Sequence, residues 1–206
     1  MTTLYYMPGT CAMGIHVLLE EIGKPYDLKK VDFANQAQFG PEYMAINPKS
    51  KVPALERDDG TVLTEFPAIA TWLALTNPDK KLLATDPEKL TRTLETVDYI
   101  VATLHMQAWT RFWRTVNYST VEEEHPKIKA RGKEMTEKGL ALLDKQLDKK
   151  EWLMGDFSIA DSALYFFEFW IAERANWPLP PNVAAHYQRM KARPSVQNML
   201  KLEGLA

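Results

Sequence analysis

At 206 residues, 46% apolar and 25% charged, the chain has an ordinary globular composition, which excludes disorder and collagen-like structure. Roughly 150 residues make a domain, so one large or two small domains fit this length. Lys and Arg number 25 against 27 Asp and Glu, a net charge of −2, which supplies no basic excess for nucleic acid.

Thr3 to Met7 (TLYYM) is rich in strand formers and ends at the turn signal Pro8-Gly9. Cys11 to Ile22 carries Ile15, Leu18, Leu19 and Ile22 at helical spacing, with Gly23 as a C-cap candidate and Pro25 barring continuation. Tyr26 to Val31 reads as a second strand, which completes a βαβ-sized unit. A short helix is expected near Pro41 to Ile46, and a short strand over Val52 to Leu55. Asp59-Gly60 is a hairpin turn leading to Val62-Leu63. Phe66 to Leu75 reads as a helix with Pro67 in its first turn.

Strand signals then stop. The stretch 79–87 reads as a linker, and residues 88–206 as helices: Glu88 to about Val116, Lys127 to Leu147, Ile159 to Ala175, Asn182 to Arg193 and Val196 to Leu202. The expectation is a mixed α/β domain over 1–78 followed by an all-α domain over 88–206. The longest apolar stretch, 163–172, is interrupted by Glu168 and is too short to span a bilayer, so no membrane association is expected. The N-terminus shows neither a charged leader nor a long apolar run, so no signal peptide is expected. The single cysteine allows no internal disulfide and no cysteine metal cluster, and it fits a reducing cytoplasm.

Ser158 and Asp161 have capping-box spacing at the start of an apolar helix, a folding signal rather than a functional one. Val52-Pro53 opens a strand. It is either a plain edge proline or a cis bond that aims the Val52 backbone at a ligand. Cys11 follows a Pro-Gly turn at a helix start, where N–H groups favour a thiolate; the alternative is a small buried side chain. The N–H of Phe66, at the start of another helix, is a candidate anion donor beside Glu65. Asp98, His105, Trp109 and Phe112 share one helical face with Trp113 beside them, which is either a core face or an aromatic pocket with a histidine at its polar end. His16, His125 and His186 are scattered, with no ligand spacing around them, so no metal site is expected.

The segments YYMPGTCAMGIHVLLEEIGKPY, INPKSKVPALERDDGTVLTEFPAI, VDYIVATLHMQAW and FSIADSAL, in this order and covering the whole chain, resemble the bacterial beta-class glutathione transferases. The resemblance implies a thioredoxin-like N-terminal domain and an all-helical C-terminal domain. It implies a cis Pro53, with Val52 backbone groups pairing with the cysteine of glutathione, Cys11 beside the glutathione sulfur and Tyr6 nearby. His105 matches the class's active-site histidine. Asp98 matches a polar residue offered to the glutathione of the neighbouring subunit, which implies a homodimer. Three positions depart from the pattern. Phe66 replaces a small or hydroxyl residue at the glutamyl carboxylate, Lys51 replaces glutamine, and Met106 replaces lysine.

The expected activity is conjugation of glutathione, as co-substrate, to small hydrophobic electrophiles held by Met106, Trp109, Phe112 and Trp113, with thiol–disulfide exchange through Cys11 as a companion reaction. The alternatives are a glutathione-dependent reductase or dehalogenase on the same site, or a non-enzymatic transferase-like interaction protein.

Overall fold

The computed structural model describes residues 1–206. Packing divides them into two compact units, Met1–Thr85 together with Gln188–Ala206, and Asp86–Tyr187.

In the first unit β1 (Thr2–Tyr6), α1 (Ala12–Ile22) and β2 (Tyr26–Lys30) form the βαβ element, with β1 and β2 parallel and Leu4 opposite Leu28. Gly23 ends α1 in the left-handed conformation at φ 71°, and its N–H closes on Leu19 O at 3.0 Å. A side chain with a Cβ tolerates that backbone poorly, which is why glycine stops the helix there. After α2 (Pro41–Ile46) come β3 (Ala54–Glu56), β4 (Val62–Thr64) and α3 (Phe66–Thr76). The mixed sheet has the order β2-β1-β3-β4, with β3 antiparallel to both neighbours. This is the thioredoxin-like arrangement. β1 is central, and Leu4 is fully buried and Tyr5 and Tyr6 nearly so. Strand β3 begins two residues later than its sequence signal, because Val52-Pro53 belongs to the loop and is a cis bond.

The second unit is helical. α4 (Pro87–Asp98) opens with Asp86 accepting from Lys89 N at 3.0 Å. The helix winds on through Tyr99–Trp109 in a wider i→i+5 form, then returns to α5 (Thr110–Trp113), where the run stops three residues before its expected end. α6 (His125–Gln146) lies against this run at two glycines. A Cβ on Gly132 would stand 2.7 Å from Ala108 O and Phe112 N, and one on Gly139 would stand 2.1 Å from Leu104 Cδ2. The contact at Gly132 is with backbone and requires glycine there, whereas at Gly139 the Leu104 side chain would have to shift.

α7 (Ile159–Phe169) begins at the capping box. Ser158 Oγ accepts from Ala160 N at 3.2 Å, and Asp161 Oδ2 accepts from Ser158 N at 2.8 Å. Asp161 also accepts from Leu153 N at 2.9 Å and from His186 Nε2 at 3.2 Å. His186 Nδ1 meets Glu168 Oε1 at 2.8 Å, and all three side chains are fully buried. Burial disfavours the imidazolium, but Glu168 and Asp161 outweigh it and push the His186 pKa up to about 9.

α8 (Pro181–Ala192) leads to α9 (Pro194–Glu203). The sequence places α9 with the helical domain, whereas its packing places it in the first unit, against α1. Arg193 Nε donates to Glu21 Oε1 at 2.8 Å, and Asn198 Nδ2 donates to Glu20 Oε2 at 2.6 Å. Burial pushes the Glu21 pKa up, but hydrogen bonds from Arg193 and Ser195 hold it below the usual carboxylate value. No helix is long and apolar enough to cross a membrane.

Candidate functional site

In the first unit the candidate residues gather where β1 gives way to α1. The turn after Tyr6 is tied by Thr10 N and Oγ1, which donate to Met7 O at 3.2 and 2.7 Å. Gly9 N donates to Glu203 Oε2 at 3.0 Å, so α9 anchors the loop that presents Cys11. Glu203 Oε1 meets His16 Nδ1 at 2.9 Å, and His16 Nε2 meets the Tyr26 hydroxyl at 2.9 Å. None of these partners was visible as a site in the sequence, because His16 and Glu203 lie 187 positions apart.

Cys11 is partly exposed at the N-terminus of α1. Its Sγ lies 3.5 Å from Val52 O, the distance of a weak S–H donor. The nearest helix-start amides are engaged by Thr10, with Ala12 N on its Oγ1 at 3.4 Å and Met13 N on its O at 3.1 Å. The helix-start argument read from the sequence thus meets competition from the preceding residue. Tyr6 is buried. Desolvation and the Glu203 carboxylate push its phenol pKa up, so at neutral pH it is a hydrogen-bond donor and not a phenolate.

The loop that carries Val52 is fixed by partly buried polar contacts. Tyr43 Oη and Asn47 Nδ2 donate to Lys51 O at 2.6 and 2.8 Å, and Asn47 Oδ1 accepts from Lys49 N at 3.1 Å. Lys51 itself extends an exposed side chain. It is Lys49 that bridges to the next segment, donating to Thr64 Oγ1 at 2.8 Å and Glu65 Oε1 at 2.7 Å. The NPKSK run offers two lysines, and only the folded loop selects between them. Glu65 has φ 70° and ψ 124°, a costly backbone for a residue with a Cβ, and strain of this kind collects at functional sites. The ring of Phe66 is buried.

In the helical unit His105 packs edge-on to Trp170 and Phe166, with centroids at 4.7 and 5.6 Å. Trp109 is buried at the centre of a larger aromatic cluster. It lies nearly parallel to Trp113 at 5.4 Å and to Trp170 at 5.7 Å, and edge-on to Trp177. Phe112 meets Trp177 at 4.4 Å. Trp109 therefore behaves as core, while Met106 and Trp113, each 48% exposed, form the open edge of the cluster. Trp170 and Trp177 escaped the sequence reading because each belongs to a different segment from the long helix. Asp98 ends α4 on the exposed surface.

These features coincide with the matches to known proteins. Residues 9–76 match the glutathione S-transferase N-terminal domain, and residues 93–203 match the glutathione S-transferase C-terminal domain. The chain belongs to the glutathione S-transferase family. The glutathione S-transferase GstA of Escherichia coli O157:H7 is 38% identical over 206 residues, covering 98% of each chain. A glutathione transferase homologue from Sulfitobacter, solved with bound glutathione, superposes with a TM-score of 0.89 at 30% identity, covering 100% of this chain and 99% of that one. A beta-class glutathione S-transferase of Sphingomonas chungbukensis gives 0.85 at 31% identity, covering 99% and 100%. The family's C-terminal domain includes α9, following chain order, whereas the packing of α9 against α1 joins it to the N-terminal domain.

Proposed function

We propose that this glutathione S-transferase conjugates the thiolate of glutathione to small hydrophobic electrophiles in the cytoplasm. In this reading the Val52 backbone pairs with the cysteine of glutathione, ahead of Pro53. The Phe66 N–H and the Lys49–Glu65 pair meet its glutamyl end, and Lys51 supplies a mobile cation nearby. Tyr6 donates as a neutral phenol. His105 adds a polar group beside an electrophile resting on Met106 and Trp113, with Trp109 and Phe112 as the packed base beneath. Asp98 serves the glutathione of a partner subunit, so the working form is a homodimer.

The observation that carries the reading is the approach of Cys11 Sγ to Val52 O at 3.5 Å, which brings a thiol to the backbone group that would hold a peptide-like thiol ligand. The same approach favours a second reaction. The Cys11 thiolate attacks oxidised glutathione, the ligand's S–S bond breaks, a Cys11–glutathione disulfide forms, and one glutathione leaves as thiolate and takes up a proton. The thiolate of a different thiol then attacks the glutathione sulfur of the adduct, forms a new mixed disulfide with glutathione and returns Cys11 as the thiolate.

Retention on immobilised glutathione, followed by turnover of chlorodinitrobenzene, tests the assignment. Retention with turnover is expected, and failure of both would return the chain to the interaction-protein class. Sedimentation should give twice the 23.6 kDa chain mass; a monomer would remove the role given to Asp98.

A further inference from the structure

The helix that carries His105, Met106 and Trp109 changes form at Thr110. Over Tyr99–Trp109 its bonds run i→i+5, and the Thr110 N–H closes on His105 O. In an α-helix that same N–H would go to Met106 O. Met106 O therefore loses its α-helical donor at the boundary, and a carbonyl passed over in this way needs a donor from elsewhere. Wide turns of this kind collect at functional sites.

Two hydroxyls supply it. Thr110 Oγ1, on a buried residue, donates back to Met106 O. Tyr118 Oη donates to Met106 O at 3.1 Å and also meets Thr110 Oγ1. The Arg111 guanidinium lies over the Tyr118 ring, 4.5 Å from its centroid, and Arg111 Nη1 donates to Gln107 O at 2.7 Å. The carbonyls of His105, Met106 and Gln107 are thus held in turn by Thr110, Tyr118 and Arg111. The loop that brings Tyr118 back is itself closed. Tyr118 N donates to Thr115 O at 2.9 Å, and Ser119 O meets His125 Nε2 at 2.9 Å.

Met106 is half-exposed at the open edge of the aromatic cluster, where the conjugation reading above rests the electrophile. Nothing in that reading uses Tyr118. We propose that Tyr118 is a positioning residue for electrophile binding. Its hydroxyl completes the donor set of the Met106 carbonyl and fixes the helix at its change of form. It thereby fixes the direction in which the Met106 side chain leaves the helix. The role rests on the conjugation reading, because Tyr118 acts through Met106 rather than by touching the electrophile.

The test compares Tyr118→Phe, Thr110→Val and Thr110→Ser in the full chain. With chlorodinitrobenzene, Tyr118→Phe and Thr110→Val should each raise the KM for the electrophile about two- to tenfold, the worth of one net hydrogen bond. The KM for glutathione and the kcat per folded molecule should stay within about twofold of the unaltered protein. Thr110→Ser keeps a hydroxyl and should match the unaltered protein. A second readout needs no turnover. Met106-Gln107 is the one Met-Gln pair in the sequence, so labelling methionine at the carbonyl carbon and glutamine at nitrogen isolates that peptide bond by NMR. Its carbonyl signal should move upfield in Tyr118→Phe. If that variant fails to fold, Thr110→Val against Thr110→Ser decides the matter. An unmoved carbonyl signal, an unchanged KM for the electrophile, or a fall in kcat alone across the variants would each overturn the proposal. Absence of turnover in the unaltered protein would instead remove the conjugation reading, and the role in electrophile binding with it, while a moved carbonyl signal would still show the tie between Tyr118 and Met106.

Discussion

Replacing His186 by glutamine should remove most of the neutral-to-alkaline pH dependence of stability. The imidazole joins Asp161 and Glu168 at 3.2 and 2.8 Å, with all three groups fully buried. Its pKa rises from 6.5 to about 9, because the two carboxylates outweigh the burial penalty. At about 1.4 kcal/mol per pH unit, that rise favours the protonated folded state by about 3 kcal/mol. The sign follows from the raised folded value. The stabilisation is fully present below pH 6.5, where the unfolded histidine is also protonated, and it is lost as pH rises through about 9. Urea unfolding at steps from pH 6 to pH 9.5 should therefore show stability falling by about 3 kcal/mol across that window. The His186→Gln variant should be less stable by about 3–5 kcal/mol at pH 6.5, because two buried carboxylates lose their cation, and its pH profile should be nearly flat. Trp152, whose ring meets His186 edge-on at 5.6 Å, gives a local fluorescence signal for the same titration. Parallel pH profiles for the two proteins, or a loss below about 1 kcal/mol at pH 6.5, would refute the picture of a charged histidine clamped between two carboxylates.

Gly132→Ala should destabilise the chain by about 1–3 kcal/mol in urea unfolding, since the new methyl meets backbone atoms of the facing helix at 2.7 Å and neither side can yield by a rotamer change. Phe66→Ser would add the hydroxyl that the family resemblance places at the glutamyl carboxylate. The ring it removes is buried, so a stability loss of about 3–5 kcal/mol should dominate any gain in glutathione affinity measured by calorimetry. Incubation with oxidised glutathione should add one reducible glutathione to the intact mass. Cys11→Ala should abolish that adduct while leaving reduced but measurable aryl conjugation, and an adduct that forms only after unfolding would make Cys11 structural.

Much of the fold is local and is legible in the chain. Gly23 stops α1 because only a left-handed residue closes that helix end, and Asp59-Gly60 turns β3 into β4. Helix-opening prolines at 41, 87, 126, 181 and 194 sit where a missing N–H costs nothing. Ser158 and Asp161 form their capping box because its atoms lie within four consecutive residues. The order of motifs around Cys11, Val52-Pro53 and His105 was enough to reach the family. Tertiary structure decided what depends on residues far apart. It turned the capping Asp161 into one half of a clamp on His186, seated α9 on α1 so that Glu203 holds the Gly9 loop, and chose Lys49 over Lys51 as the partner of Glu65. It also buried Trp109 beneath Trp113. The physical reason is the same in each case. Caps, turns and periodic faces are set by neighbours a few positions away, whereas burial, ion pairing and cavities arise only when separate segments meet and exclude water together.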